Sequence, residues 1–308
     1  MMIRGSYSQF FGDTMLPALT ARIWKAFKAK RSLISQVLGT DTTGRDIAQY
    51  SQMAGVGLPS LIGEAEDTPT DNFVQGFPKT FRPAKFGLGI AASLEMVEDD
   101  KIGIISKRSV ALANSIYQSR EIQGASVFNN GFDGTNYAIP DGKALFASDH
   151  PLIKAGGTQS NILSVAADLD VASLELALTD WELIKTHEGF LQLLPKPRVL
   201  TAAQNRWNVN EILKSQMRSD TANNTRNAFQ DNEQGGPIEA LVWSYLTDPD
   251  AWFLVAPPEE NELLWLDRKK PYLKDDYVEK SETGYVYMRY RADYGAYGWG
   301  GVYGTPGA

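Results

Sequence analysis

Asp141-Gly142-Lys143-Ala144-Leu145-Phe146-Ala147-Ser148-Asp149-His150-Pro151, followed by Gly156-Gly157-Thr158-Gln159-Ser160-Asn161, is the stretch on which the reading of this chain turns. Glycine, aspartate and asparagine punctuate it, so it reads as a loop rather than a helix or strand. It matches no catalytic or cofactor pattern. Asp149-His150 is its best catalytic candidate, but a general base needs an acid behind it and a nucleophile in reach. Ser148 and Ser160 are close in sequence, yet no nucleophile elbow frames them. An aspartate capping a turn before Pro151 is the expected role. Gly156-Gly157-Thr158 lacks the Gly-Lys-Ser/Thr of a phosphate loop.

Upstream, the spacing of Ile105, Leu112 and Ile116 predicts a long helix from Lys101 to Phe128, stopped by Asn129-Asn130-Gly131. At about 1.5 Å per residue it would be roughly 40 Å long, the spine of an elongated domain. Glu98-Asp99-Asp100 precede it as capping and dipole-complementing acids rather than a catalytic pair. Before that, Gly55, Gly57, Pro59, Gly63, Pro69 and Gly76 break residues 54–76. Phe86, Leu88 and Ile90 alternate with Lys85, Gly87 and Gly89, the period of a strand. A strand interior, without a third glycine or a ribose-binding acid, is not a dinucleotide fingerprint. Residues 55–95 together read as an exposed two-stranded excursion. Such a hairpin is marginal alone in water and needs a neighbour to lie on. At the start, Asp13 or Thr14 caps a helix carrying Leu16, Leu19, Ile23, Trp24 and Phe27. Gly39 and Gly44 end this arm, and a short helical piece is expected from Arg45 to Met53.

Downstream, helices are expected at Asp170–Thr186 (Leu174, Leu178, Trp181) and Arg206–Met217 (Trp207, Ile212, Leu213). His187-Glu188 closes the first of these, where the dipole favours a cationic histidine. No second histidine stands four residues away, so no zinc-protease helix exists. Pro197–Ala202, Leu241–Leu246, Trp252–Val255 and Glu262–Leu266 read as strands, and Arg218–Pro237 as a polar loop. Tyr272–Val278 and Tyr285–Arg291 pair across Ser281-Glu282-Thr283-Gly284. Tyr294, Tyr297, Trp299 and Tyr303 read as core and edge packing rather than a base-stacking platform.

Composition narrows the function further. The 308 residues are 43% hydrophobic, ample for a core, and contain no cysteine. Disulfides, thiolate metal sites and cysteine nucleophiles are therefore excluded. With only two histidines, a His-rich metal centre is impossible; no cofactor, no metal and no enzymatic role are expected. No run approaches the ~18 apolar residues of a membrane span. The N-terminus lacks an apolar signal core, so a soluble protein made in a cytoplasm is expected. Net charge is −7, yet residues 1–50 carry seven Lys and Arg against three Asp and Glu. Arg22, Lys25, Lys28, Lys30 and Arg31 cluster there. They form either a solvated helix face or a basic arm that meets acidic neighbours or packaged nucleic acid.

The loop at 141–161 resembles a segment of the major head proteins of Mu-like tailed phages, members of the Hong Kong 97 capsid fold. The resemblance continues through Pro197-Arg198-Val199-Leu200 and the run Met288-Arg289-Tyr290-Arg291-Ala292-Asp293-Tyr294-Gly295-Ala296-Tyr297-Gly298-Trp299 to Gly301-Val302-Tyr303-Gly304. It implies an α+β fold with an N-terminal arm at 1–53 and an extended two-stranded E-loop at 54–97. A peripheral domain with the spine helix and glycine-rich loop would span 98–194, an axial α/β domain 195–264, and returning C-terminal strands 265–308. The implied function is structural: self-assembly as pentamers and hexamers into an icosahedral head around double-stranded DNA, bound without sequence specificity. Separate scaffold and portal proteins are implied partners, with room for a decoration protein and no role for a membrane. Contacts between subunits would involve Arg22, Lys25, Lys28 and Arg31 of the arm. In the loop they would involve the acids Glu64, Glu66, Asp67 and Asp71, with Phe77, Lys79, Arg82 and Lys85. An encapsulin-like compartment, a tail or adaptor component, and a hydrolase using His150 or His187 are the competing readings.

Overall fold

In the computed structural model, residues 15–64, 67–93, 95–96, 99, 102–215, 227, 229 and 238–308 are described. The spine is α3, Ile102–Asn129, 28 residues long. Ile105, Leu112, Ala113 and Ile116 bury one side of it, the 3.6-residue period that the sequence carries. Across that side lies a four-stranded sheet in the order β1-β10-β11-β4. Its strands are β1 (Gly39–Thr42), β4 (Ala84–Ser93), β10 (Leu263–Val278) and β11 (Thr283–Ala296). Along β11, Val286, Met288, Tyr290 and Ala292 are buried, while Tyr285, Tyr287, Arg289 and Arg291 stand on the other face. The Tyr290 hydroxyl meets Ser119 and Gln123 of the helix at 3.0 and 2.9 Å. Arg120 forks onto Asp267 at 3.1 and 3.3 Å and lies over the Trp265 ring. Helix and sheet are thus joined by polar pairs as well as by burial.

The first helix, α1 (Leu16–Lys28), buries Leu19 and Ile23 beside the spine. The short α2 (Ile34–Val37) leads into β1, which pairs parallel with the start of β10. A second sheet runs β12-β9-β7-β8. It comprises β7 (Arg198–Thr201), β8 (Ala240–Val242), β9 (Trp252–Val255) and β12 (Val302–Thr305). Phe146 of the glycine-rich loop packs on Phe253 of β9 at 5.0 Å and on Phe132 at 5.1 Å, and Phe128 of the spine closes the cluster. Within that loop β5 (His150–Pro151) pairs with β6 (Thr158–Gln159). Helix α4 (Val171–Glu182) is capped reciprocally by Asp170 and Ser173. Helix α5 (Arg206–Lys214) buries Val209, Ile212 and Leu213.

Several expectations are corrected. The Arg45–Met53 segment is not helical: Ala48–Ala54 is strand β2, paired antiparallel with β3 (Val74–Phe81). Cross-strand pairing overrides a weak local preference there. The excursion is therefore β2 with β3, while Phe86 to Ile90 lies in β4, within the main sheet. Gly39 does not end the arm but opens β1. Glu262–Leu266 and Tyr272–Val278 are one strand, β10, interrupted by a bulge between Asp267 and Tyr272. Leu241–Leu246 shortens to β8, and α4 stops at Glu182. Trp207 lies off the buried stripe of α5, 80% exposed. The β10–β11 turn places its left-handed residue at Glu282 (φ 45°), leaving Gly284 to pair within β11. The cap at Asp13 or Thr14, the acids Glu98 and Asp100, Glu66, and most of Arg218–Pro237 lie outside the described residues.

Candidate assembly interface

The β2–β3 hairpin is anchored at one end. Phe81 is buried with Leu264 and Leu266, and Tyr50 and Tyr297 pack around it. The Tyr50 ring meets Phe81 edge-on at 5.6 Å. Its hydroxyl donates to Asp41. Burial and that carboxylate push its pKa up to about 12. Gln52 donates to Glu262 at 2.8 Å, and the same carboxylate accepts from the Gly300 backbone. A side chain at Gly76 would strike Ile153 at 2.3 Å, so the glycine lets the hairpin lie on the glycine-rich loop. Lys154 of that loop pairs with Asp71. That lysine, with the Gly57 N–H at 2.6 Å, holds the Asp71 carboxyl down at about 2.

Beyond the anchor the hairpin buries little. Leu58 is 71% exposed, Leu61 100% and Phe73 67%. Val56, Ile62 and Val74 are exposed too. Grouped apolar side chains in water mark a surface meant for a partner. Each would contribute about 1.5–3 kcal/mol on full burial.

The expected contact residues fall into distinct settings. Glu64 and Asp67 are exposed on the hairpin's connecting segment, and Phe77 is exposed on β3. Asp71 is engaged by its own chain. Lys79 is half-buried and lines a cavity of about 300 Å³ with Asn130, Ile139 and Tyr294. Arg82 and Lys85 are exposed, and the Arg82 N–H donates to Asp293 at 2.6 Å. Arg22, Lys25, Lys28 and Arg31 are exposed, with the Arg22 guanidinium donating to Ser106 of the spine. Among the described residues no ion pair joins the hairpin acids to the arm cations within one chain.

The two histidines are interior groups. His150 is fully buried, its Nδ1 2.7 Å from Asp141 and its Nε2 3.1 Å from Asn161, with its ring stacked on Trp299. The Asn161 amide donates to the carbonyls of Leu145 and Val302. The cluster therefore ties the glycine-rich loop to the C-terminal segment. Both ring nitrogens are occupied, and Ser160 donates to the Ile162 carbonyl at 3.0 Å; a base–nucleophile pair is not formed. The partner of His150 is Asp141, not the adjacent Asp149, which is held low by Lys143. The sequence signal for this was the Asp141-Gly142 turn, but nothing local linked it to Asn161 or Trp299. His187 sits beyond α4, edge-on to Trp299. Burial drives its pKa down, so it is neutral there rather than the cationic helix terminus expected. Among the described residues no group of three His, Cys, Asp or Glu could hold a metal ion. No helix among them is long and apolar enough to cross a membrane.

A family model described as phage capsid protein matches residues 77–304, most of the chain. The chain belongs to the phage capsid protein family. Among curated proteins none matches the sequence. Among solved structures, the procapsid of bacteriophage JBD30 shares 14% identity at a TM-score of 0.53, over 95% of this chain and 75% of that one. A virus-like particle from Pyrococcus furiosus gives 8% and 0.54, over 95% and 99%. The capsid of an empty GTA particle gives 11% and 0.53, over 90% of both chains. These likenesses establish the Hong Kong 97-type capsid fold. As a phage capsid protein the chain is a structural component of a virion shell that associates with copies of itself.

Proposed function

We propose that this capsid protein builds a Mu-like head: pentamers and hexamers tile a closed icosahedral shell around double-stranded DNA inside the host cytoplasm. The observation that carries the reading is the hairpin, fixed at Phe81, Tyr50 and Gln52 yet bare at Leu58, Leu61 and Phe73. It reaches across to a neighbouring subunit, where those side chains become buried. The arm at 1–53 ties adjacent subunits; 98–194 forms the peripheral domain, 195–264 the axial domain, and 265–308 the returning strands. Glu64, Glu66 and Asp67 face cations of the neighbour, with Arg82 and Lys85 as counterparts. Asp71 keeps Lys154 as its own partner. Scaffold and portal act as separate proteins.

Electron microscopy of native particles with a nuclease-protection assay tests this. Closed angular shells that protect double-stranded DNA are expected. Closed shells filled with protein would favour a cargo compartment. Rings or tubes would point to a tail component. Charge reversal at Glu64 and Glu66 should impair assembly, and unimpaired assembly would sink the charge pairing.

A further inference from the structure

The helical layer of this acidic protein carries almost no acid. Helix α1 contains none, and in α3 the sole carboxylate is Glu121. That group is 1% exposed and accepts from Ser32 and from the Trp243 indole at 2.9 Å. The cations of the same layer face outward. Lys25 and Lys28 stand on the side of α1 away from Leu19 and Ile23, Arg22 flanks them, and Lys30 and Arg31 follow just beyond the helix end.

Three contacts fix how α1 and the residues after it lie on the spine. Arg22 donates to Ser106, while Lys30 covers the Tyr117 ring at 5.4 Å and the Tyr117 hydroxyl donates to the Arg31 carbonyl at 2.8 Å. The two helices therefore run parallel, and exposed Lys107 joins the group. Among the described residues none of these six cations forms an ion pair. Some cations elsewhere are matched: Lys143 with Asp149, Lys154 with Asp71, Arg198 with Glu239, and Arg268 and Arg291 with Asp46.

We infer that the α1–α3 face is a binding surface for the phosphate backbone of duplex DNA. This rests on the reading of the shell as a DNA container and assigns the face that meets the contents. At about 1.5 Å per residue, Arg22 to Lys28 spans about 9 Å along α1. A duplex strand carries a phosphate every ~3.4 Å of axis, so that stretch covers about two to three. Exposed residues beside the cations include Ala18, Ala21 and Ala29, which offer no pocket for the anchor of a protein partner. Trp24 is half-buried against Phe27 and covered by Lys28, so no free ring stacks unpaired bases. Long lysine stems touching phosphates confer no sequence preference.

The test is fluorescence anisotropy of a labelled duplex with the full-length protein across a salt series. The triple variant Lys25→Gln, Lys28→Gln, Lys30→Gln is compared with Lys270→Gln, Lys274→Gln, Lys280→Gln, which removes equal charge from exposed lysines of β10 and its turn. The helix-face variant should lose about tenfold or more in affinity at low salt and flatten the log–log salt slope by about 2.7, at ~0.9 per phosphate contact. The control should stay near wild type. Equal losses in both variants, or a wild-type protein that does not bind the duplex, would overturn the assignment. Polyglutamate binding that depends on these lysines while duplex binding does not would overturn it in favour of an acidic protein segment. Microscopy of the helix-face variant separates the questions: intact closed shells that no longer bind duplex leave the shell reading standing.

Discussion

Two hairpins of this protein have nearly opposite circumstances. The β10–β11 hairpin turns Val286, Met288 and Tyr290 into its own chain's core, with Arg120 and Tyr290 bonded across the helix–sheet junction. The β2–β3 hairpin is tied down near Phe81 and Gln52 and by Lys154 on Asp71, yet leaves Leu58, Leu61 and Phe73 in water. The first completes a fold; the second completes an assembly. A chain can specify apolar surface that its own fold leaves uncovered, because the free energy of burying it is collected only when a neighbour arrives.

Substitutions should separate the two hairpins cleanly. Tyr290→Ala removes a fully buried ring together with its bonds to Ser119 and Gln123, so it should cost about 3–5 kcal/mol in urea unfolding. Leu58→Ser with Leu61→Ser should change monomer unfolding by less than about 0.5 kcal/mol. The same pair should sharply reduce the yield of closed shells in sedimentation. Equal damage to monomer stability from both variants would erase the distinction between the hairpins.

A smaller effect is expected at the hairpin's foot. His187 shares a cavity of about 160 Å³ with Met53, Gly55, Glu188 and Trp299. Burial keeps it neutral, against the opposing pull of Glu262, Glu188 and Asp141 and with His150 adding to the depression. Its folded pKa lies below 6.5. Below that pH the unfolded chain takes up a proton that the folded chain refuses, so stability falls as pH drops from 6.5 toward the folded value. His187→Asn should flatten that acidic limb in thermal melts; an unchanged pH profile would remove His187 as its source. Smallest is Glu282→Gly, which relieves a left-handed backbone at the β10–β11 turn and should stabilise by about 0.5–1 kcal/mol. A lower melting temperature would mean that the turn carries no strain.

Much of the fold was legible because periodicity records burial. The spine helix came within a residue or two of its observed ends, and α4, α5, β7 and β9 were placed by their apolar spacing. Alternation along Phe86 to Ile90 identified a strand but not its partner. Gly87 and Gly89 prove to be where Arg289 and Tyr287 of β11 lie across, with room for no side chain. At the interface, exposed acids and cations were readable as charges, whereas the internal pairing of Asp71 with Lys154 was not. Nor did anything local mark Ala48–Ala54 as a strand, since its partner lies a loop away at Val74–Phe81.

The sequence by itself determined the class of the protein: a cysteine-free, aromatic-rich α+β chain with a long spine helix, a glycine-punctuated excursion and a capsid-like closing run. Those properties are local in composition and spacing. Tertiary structure alone decided which strands form the excursion and that Asp141, Asn161 and Trp299 enclose His150. It also decided that the cations from Arg22 to Arg31 lie beside the spine without carboxylate partners among the described residues. Each of these depends on bringing together residues distant in sequence, and side-chain periodicity carries the face a residue occupies but not the identity of what faces it.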